Sequence, residues 1–81
     1  MPMTTFPPAE REALLALKGV GPSVVMRLEQ LGITDFNTLA RCDAQDICDK
    51  VAASLGTTCW RNSPQARAAI AAAIMRAQEG L

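Results

Sequence analysis

Proline stands at the start of three stretches whose apolar residues recur at helical spacing. These residues are Pro8, Pro22 and Pro64. Proline suits the first turn of a helix, because the backbone amide that it lacks would have no acceptor inside the helix there. In the interior of a helix or in a central strand, proline instead removes a hydrogen bond. No segment alternates apolar and polar residues at the period of two that is typical of a half-buried strand. The sequence therefore predicts an all-α fold.

Five helices are predicted from these starts and from the capping residues and glycines between them. They run from Pro8 to Leu17, from Pro22 to Leu31, from a Thr34 cap to Arg41, from an Asp43 cap to Leu55, and from Ser63-Pro64 to about Gln78. A chain of 81 residues has room for one small core. We therefore expect a flexible N-terminal tail over residues 1–7 and a single compact domain over residues 8–80.

Composition excludes several classes of function. Eight Lys and Arg residues balance eight Asp and Glu residues, so net charge does not draw the chain to nucleic acid or to membranes, and any polyanion site must be local. The sequence contains no histidine, which is the commonest general base and metal ligand. It also has no secretory signal pattern and no apolar stretch of membrane-spanning length. These features predict a cytoplasmic, non-enzymatic protein with no metal, no cofactor and no membrane association.

The three cysteines do not alter that prediction. Cys42, Cys48 and Cys59 are odd in number, and their spacing matches no Cys-x-x-Cys motif. We expect them to be small, buried or half-buried apolar residues, with an oxidised pair between Cys42 and one of the others left open. A thiol-dependent activity lacks a base or a cation at fixed spacing.

The segment from Leu14 to Leu39 carries the most specific pattern in the chain. Its first part joins two predicted helices through Lys18-Gly19-Val20-Gly21-Pro22, and its second part has the sequence Leu-Gly-Ile-x-x-Phe-x-x-Leu over residues 31–39. Both parts, in this register, resemble the helix-hairpin-helix family. The resemblance implies a glycine hairpin that binds the DNA backbone, because a phosphate can approach bare backbone amides beside the positive end of a helix dipole.

The resemblance also implies which residues would contact phosphates. These are Lys18, Gly19, Val20, Gly21, Ser23 and Arg27, with Lys18 and Arg27 supplying charge. The family often has a cation where this chain has Ser23 and an alanine where it has Val25, so one phosphate-binding charge is missing. We further expect Gly21→Ala to damage the hairpin.

The second half of the chain is similar to a degenerate copy of the first. A helix, a loop beginning at Gly56 and a proline-initiated helix repeat the same order, and in the family such pairs form a tandem, SAM-like arrangement. The loop offers secondary anion-binding candidates at Arg61, Ser63 and Gln65. The segment from Asp43 to Ala77, with Cys-Trp-Arg-Asn-Ser-Pro-Gln-Ala-Arg at residues 59–67, also resembles the small bacterial proteins grouped as pathogenicity-locus or mitomycin-resistance proteins. Trp60 within this segment is expected to pack in the core rather than to stack on a base.

Two functions follow as expectations. The first is sequence-independent binding of the DNA backbone, as an accessory to a larger protein in DNA repair or recombination. The alternative is a protein-interaction or homodimerisation module, in which the hairpin is purely structural and the Ala-rich last helix or Met26 forms the surface. Apolar area left exposed at Met26, Leu15 and Val25 would favour this alternative.

Overall fold

The computed structural model describes residues 5–56, residue 60 and residues 62–80. Over those residues the chain forms five α-helices and no strand, which confirms the all-α prediction. The helices are α1 (Pro8–Leu15), α2 (Pro22–Gln30), α3 (Phe36–Leu39), α4 (Ala44–Leu55) and α5 (Pro64–Glu79). They pack into a globule with a radius of gyration of 11.6 Å.

Local chemistry explains most of the helix boundaries. The three prolines occupy the first turns of α1, α2 and α5. The Asp43 carboxylate accepts from the Asp46 amide at 3.1 Å, and Ser63 Oγ accepts from the Ala66 amide at 3.1 Å, so the predicted caps of α4 and α5 are confirmed. Both interactions satisfy an amide of the first turn that has no acceptor within the helix.

Several predicted boundaries are wrong, among them the end of α3, which lies at Leu39 rather than at Arg41. The cap of α3 is Asp35, not Thr34, because Asp35 directly precedes the helix and its carboxylate accepts from the Thr38 amide at 2.7 Å. The first helix ends at Leu15 rather than at Leu17, since the Leu17 amide donates to the Leu14 carbonyl, which lies only three residues back. That tighter turn begins the connection to α2.

The end of α2 sets the direction in which the chain leaves the hairpin. Gly32 has a φ of +84°, in the left-handed region that favours glycine. The Ile33 amide donates to the Leu28 carbonyl at 3.0 Å, and the Gly32 amide donates to the Glu29 carbonyl at 3.0 Å. This pair of hydrogen bonds is a Schellman motif, and its apolar partners Ile33 and Leu28 are both buried.

Helix α5 is the central element of the core, since it packs against α1, α3 and α4. Its buried face consists of Ala69, Ile70, Ala73, Ile74 and Ala77. Sequence spacing predicted the same face except at its start, where Ala66 is half-buried and Ala69 takes the buried position. Small residues on this face allow the neighbouring helices to approach closely.

The packed domain begins before Pro8. The Phe6 side chain is 3% exposed, and its amide donates to Glu29 Oε2 at 3.0 Å. Phe6 therefore belongs to the core, although it falls within the segment that was expected to be a flexible tail. Residues 1–4, the first part of that segment, lie outside the described residues.

The cysteines within the described part of the chain act as packing residues. Cys48 is buried, Cys42 is half-buried and both are free thiols, while Cys59 lies outside the described residues. Burial raises the pKa of both described thiols, which reduces the thiolate fraction at neutral pH. The same region contains no group of three Cys, Asp or Glu side chains placed to hold a metal ion.

Candidate nucleic-acid interface

The connection between α1 and α2 is a tight hairpin built around one buried side chain. Val20 is 5% exposed, and its amide donates to the Leu17 carbonyl at 3.2 Å. Its neighbours Lys18 and Gly19 are exposed, and Gly21 is half-buried. Burial of Val20 therefore anchors the turn while leaving the backbone on either side of it accessible.

The hairpin presents backbone amides that have no acceptor among the described residues. These are the amides of Gly19, Gly21 and Ser23, all of which the sequence placed in the site. Val20 was also placed there, but its amide is already used within the turn and its side chain points into the core. The contact surface expected of the hairpin thus reduces to its two glycines, Ser23 and the Lys18 side chain.

The two glycines of the hairpin have different physical roles. Gly19 has a φ of +85°, which disfavours any L side chain, and a Cβ there would lie 4.0 Å from the Ala69 Cβ. Gly21 has φ −111° and ψ −178°, an extended conformation that any residue adopts, and a Cβ there meets nothing within 4 Å. The expectation that Gly21→Ala damages the hairpin is therefore wrong, because of the two hairpin glycines only Gly19 has a backbone conformation that favours glycine.

An open cleft of about 330 Å³ lies between this hairpin and the start of α5. Its described lining consists of Gly19, Val24, Trp60, Ser63, Gln65, Ala66 and Ala69. Val24 belongs to the first turn of α2, and Gln65 and Ala66 belong to the first turn of α5. The structure thus brings Gly19 of the first hairpin together with Ser63 and Gln65, the secondary candidates from the second loop.

Arg27 is not brought to this cleft. Its guanidinium donates to Gln30 Oε1 at 3.0 Å, and the residue lines a smaller cavity between α2 and α4 with Leu31 and Val51. Arg61, the remaining predicted cation, lies outside the described residues. Among the described candidates, Lys18 is the cation directly adjacent in sequence to a cleft residue.

Trp60 lies at the cleft, which sequence reasoning missed. The residue is half-buried and packs against the core, as predicted, but it also lines the cleft beside Gly19. The available signal was the internal repeat, since the loop before α5 occupies the same place in the order of elements as the loop before α2. A half-buried aromatic in one loop and a glycine in the other therefore line the same cleft.

Two acidic side chains tie the hairpin helices to their neighbours. Glu29 of α2, whose side chain is 6% exposed, lies 3.5 Å from Arg11 of α1 and also accepts from the Phe6 amide. Glu10 of α1 accepts from the amide of Phe36, the first residue of α3, at 2.7 Å. These carboxylates have structural partners, which fixes the relative positions of α1, α2 and α3 behind the hairpin.

The apolar surface relevant to the alternative function is small. Val25 is fully buried and Leu15 is half-buried, so of the three residues in question only Met26 is exposed, at 41%. Within the described residues, the other large exposed apolar side chains are Leu55 at 39% and Met75 at 64%. No helix in that part of the chain is long and apolar enough to cross a membrane.

Comparison of the chain with family models, with curated proteins and with solved structures finds no match. The helix-hairpin-helix resemblance over residues 14–39 therefore remains an expectation from sequence.

Proposed function

We propose that this chain is a non-enzymatic module that binds the DNA backbone without reading base sequence. Its contacts are the free amides of Gly19, Gly21 and Ser23, assisted by the Lys18 side chain. We further propose that it acts in the bacterial cytoplasm as an accessory to a larger repair or recombination protein.

The observation that carries this proposal is the shared cleft. The first turns of two helices, α2 and α5, both line it, and each of these helices begins with a proline. Each first turn has one amide with no acceptor among the described residues, that of Ser23 in α2 and that of Gln65 in α5. Each helix start also carries the positive end of a dipole, equivalent to roughly half an elementary charge. Two such ends at one cleft favour an anion locally, even though the formal net charge of the chain is zero.

Backbone amides cannot distinguish base pairs, so the proposed binding is independent of sequence. With two or three phosphates engaged, the slope of log affinity against log salt should be about −2. The dissociation constant should lie in the range of nonspecific binding, roughly 10⁻⁴ to 10⁻⁶ M at physiological salt. Weak binding of this kind fits an accessory held near DNA by a larger partner.

The direct test is fluorescence anisotropy of a labelled DNA duplex over a series of salt concentrations. The variant is Lys18→Glu, and the matched control is Lys50→Glu, which makes the same charge change on α4. Lys50 is exposed and does not line the cleft; its 3.0 Å ion pair with Asp46 is also exposed, so its loss costs little stability. We expect Lys18→Glu to weaken binding severalfold and to reduce the salt slope by about 1, while the control binds as wild type does.

Two results would contradict the proposal at different levels. If the wild-type protein shows no salt-dependent binding even at low salt, the chain does not bind the DNA backbone. If it binds but Lys18→Glu and Lys50→Glu weaken binding equally, the contact site is not the hairpin.

A second candidate function is protein–protein interaction or homodimerisation, with a purely structural hairpin. The observation that favours it is Met75, which is 64% exposed on the outer face of the Ala-rich α5. Sedimentation equilibrium over a range of protein concentrations tests self-association. A monomer at every concentration, unchanged by Met75→Lys, would exclude the homodimer.

A further inference from the structure

The cleft between the hairpin and α5 has a lining that differs from an ordinary phosphate site. Among its described residues none is charged, and Val24, Ala66 and Ala69 supply apolar walls. Trp60 adds an indole ring, while Ser63 and Gln65 add polar groups at the start of α5. The apolar walls and the indole suit a neutral, flat ligand with polar edges, bound beside a phosphate that is held at the hairpin end of the cleft.

We propose that this cleft accepts one unpaired nucleobase, stacked against Trp60, while the phosphates beside it are held at the hairpin. This inference rests on the proposed function, since the base belongs to the same DNA strand. Base stacking on an aromatic ring tolerates any sequence, because every base has a π face. It therefore adds affinity without adding sequence specificity.

The dimensions of the cleft agree with this occupant. Its volume of about 330 Å³ is at the lower end of sites for small ligands, which begin at roughly 300 Å³. The Gln65 side chain is exposed, and its amide carries both donor and acceptor groups for a base edge. Bases of an intact duplex are stacked and paired, so the cleft should discriminate in favour of single-stranded or branched DNA.

Gly19 and Trp60 both line the cleft, and we assign the phosphate to the Gly19 side and the base to the Trp60 side. Gly19 has no side chain, so a strand can approach the backbone closely on that side. Trp60 stands on the other contributing loop and is held by its contact with the core, so its ring is preorganised rather than free. One strand lying along the cleft would place a phosphate at the hairpin and a base at the indole.

The experiment compares two single strands of about 12 nucleotides, oligothymidylate and an abasic strand of the same length and charge, with a duplex as a third probe. Anisotropy measures the affinity of each. Tryptophan emission gives a second readout, because Trp60 is the only tryptophan and the chain has no tyrosine. We expect oligothymidylate to bind at least about fivefold more tightly than the abasic strand and to quench the emission.

Two variants separate stacking from core packing. Trp60→Phe keeps an aromatic face, whereas Trp60→Leu keeps apolar contact with the core and removes that face. We expect Trp60→Leu to equalise the affinities for the two single strands while duplex binding persists, and Trp60→Phe to retain a preference for bases. Circular dichroism confirms that each variant is folded. The comparison of strands on the wild-type protein does not depend on that outcome.

The possible results assign failure to one proposal or to both. Equal wild-type affinities for oligothymidylate and the abasic strand overturn the base site but leave the proposed backbone binding intact. Failure of all three probes to bind at low salt overturns both. A base preference that survives Trp60→Leu in folded protein overturns the stacking role of Trp60.

Discussion

The two glycines of the hairpin, which look equivalent in the sequence, should respond differently to replacement by alanine. Replacing Gly19 by alanine places a Cβ at a φ of +85°, which costs about 1 to 2 kcal/mol for an L residue. The new methyl group makes only an ordinary contact, 4.0 Å from the Ala69 Cβ, so sterics add little. Alanine also restricts the unfolded chain, which returns about 0.4 to 1 kcal/mol. The expected net loss is about 1 kcal/mol.

Replacing Gly21 by alanine should leave the stability of the domain nearly unchanged but weaken DNA binding. Its backbone is extended and a Cβ there meets nothing within 4 Å, so the unfolded-state gain is opposed only by the poorer N-cap preference of alanine. We expect stability to change by less than about 0.5 kcal/mol. The added methyl group projects into the open space through which a phosphate would approach, so DNA binding should weaken.

Thermal unfolding followed by far-UV circular dichroism, together with duplex anisotropy, measures both effects. For a domain of this size, a loss of 1 kcal/mol lowers the midpoint by about 4 to 8 °C, so the Gly19→Ala shift is readily resolved. The reasoning is refuted if Gly21→Ala destabilises the protein as much as Gly19→Ala does. Unchanged DNA binding by a stable Gly21→Ala variant would instead remove Gly21 from the proposed contact surface.

Three further predictions concern the rest of the domain. Hydrogen bonds from the Thr38 amide and hydroxyl lower the pKa of the Asp35 carboxyl from 3.8. The contribution of Asp35 to stability is therefore present above pH 3.8 and is lost as the pH falls through the folded-state pKa. The free energy of unfolding, measured over a series of acidic pH values, should fall less in Asp35→Asn than in the wild type. Glu29→Ala removes the acceptor of the Phe6 amide and the partner of Arg11, and chemical denaturation should show a loss of about 1 to 3 kcal/mol, whereas an unchanged midpoint would mean that these contacts contribute nothing. Cys48 is fully buried and its thiol pKa is raised by burial, so with the other two cysteines changed to serine it should react with a thiol probe only on unfolding, and rapid labelling of the native protein would contradict this.

The features that sequence predicted correctly depend on local constraints. Proline has a fixed φ and no amide, so Pro8, Pro22 and Pro64 mark helix starts whatever surrounds them. The caps at Asp43 and Ser63 act within three residues of themselves. Such signals are complete within a short window of sequence, which is why the order and number of the helices over the described residues agree with prediction.

The features that sequence missed depend on contacts between distant residues. Glu10 accepts from the Phe36 amide, 26 residues away, and no pattern within α1 indicates that contact. Arg27 was placed in the site by its position after the hairpin, yet it lines the cavity beside α4. Gly21 was given the role that belongs to Gly19, because two glycines in a motif do not reveal which has a positive φ. Each of these depends on the packed arrangement rather than on local pattern.

The two loops at the cleft differ in a way that matches the proposed contacts with a phosphate and with a base. Both loops precede a helix that begins with proline, but the first loop places a glycine at the cleft and the second places a tryptophan there. Two bare loops would offer the same backbone contact twice, and two aromatic loops would leave no close approach for a phosphate. One glycine loop and one aromatic loop suit a strand whose phosphate lies on one side of the cleft and whose base lies on the other. Trp60→Gly should therefore abolish the preference for oligothymidylate over the abasic strand that anisotropy measures, and a folded Trp60→Gly variant that keeps this preference would contradict the argument.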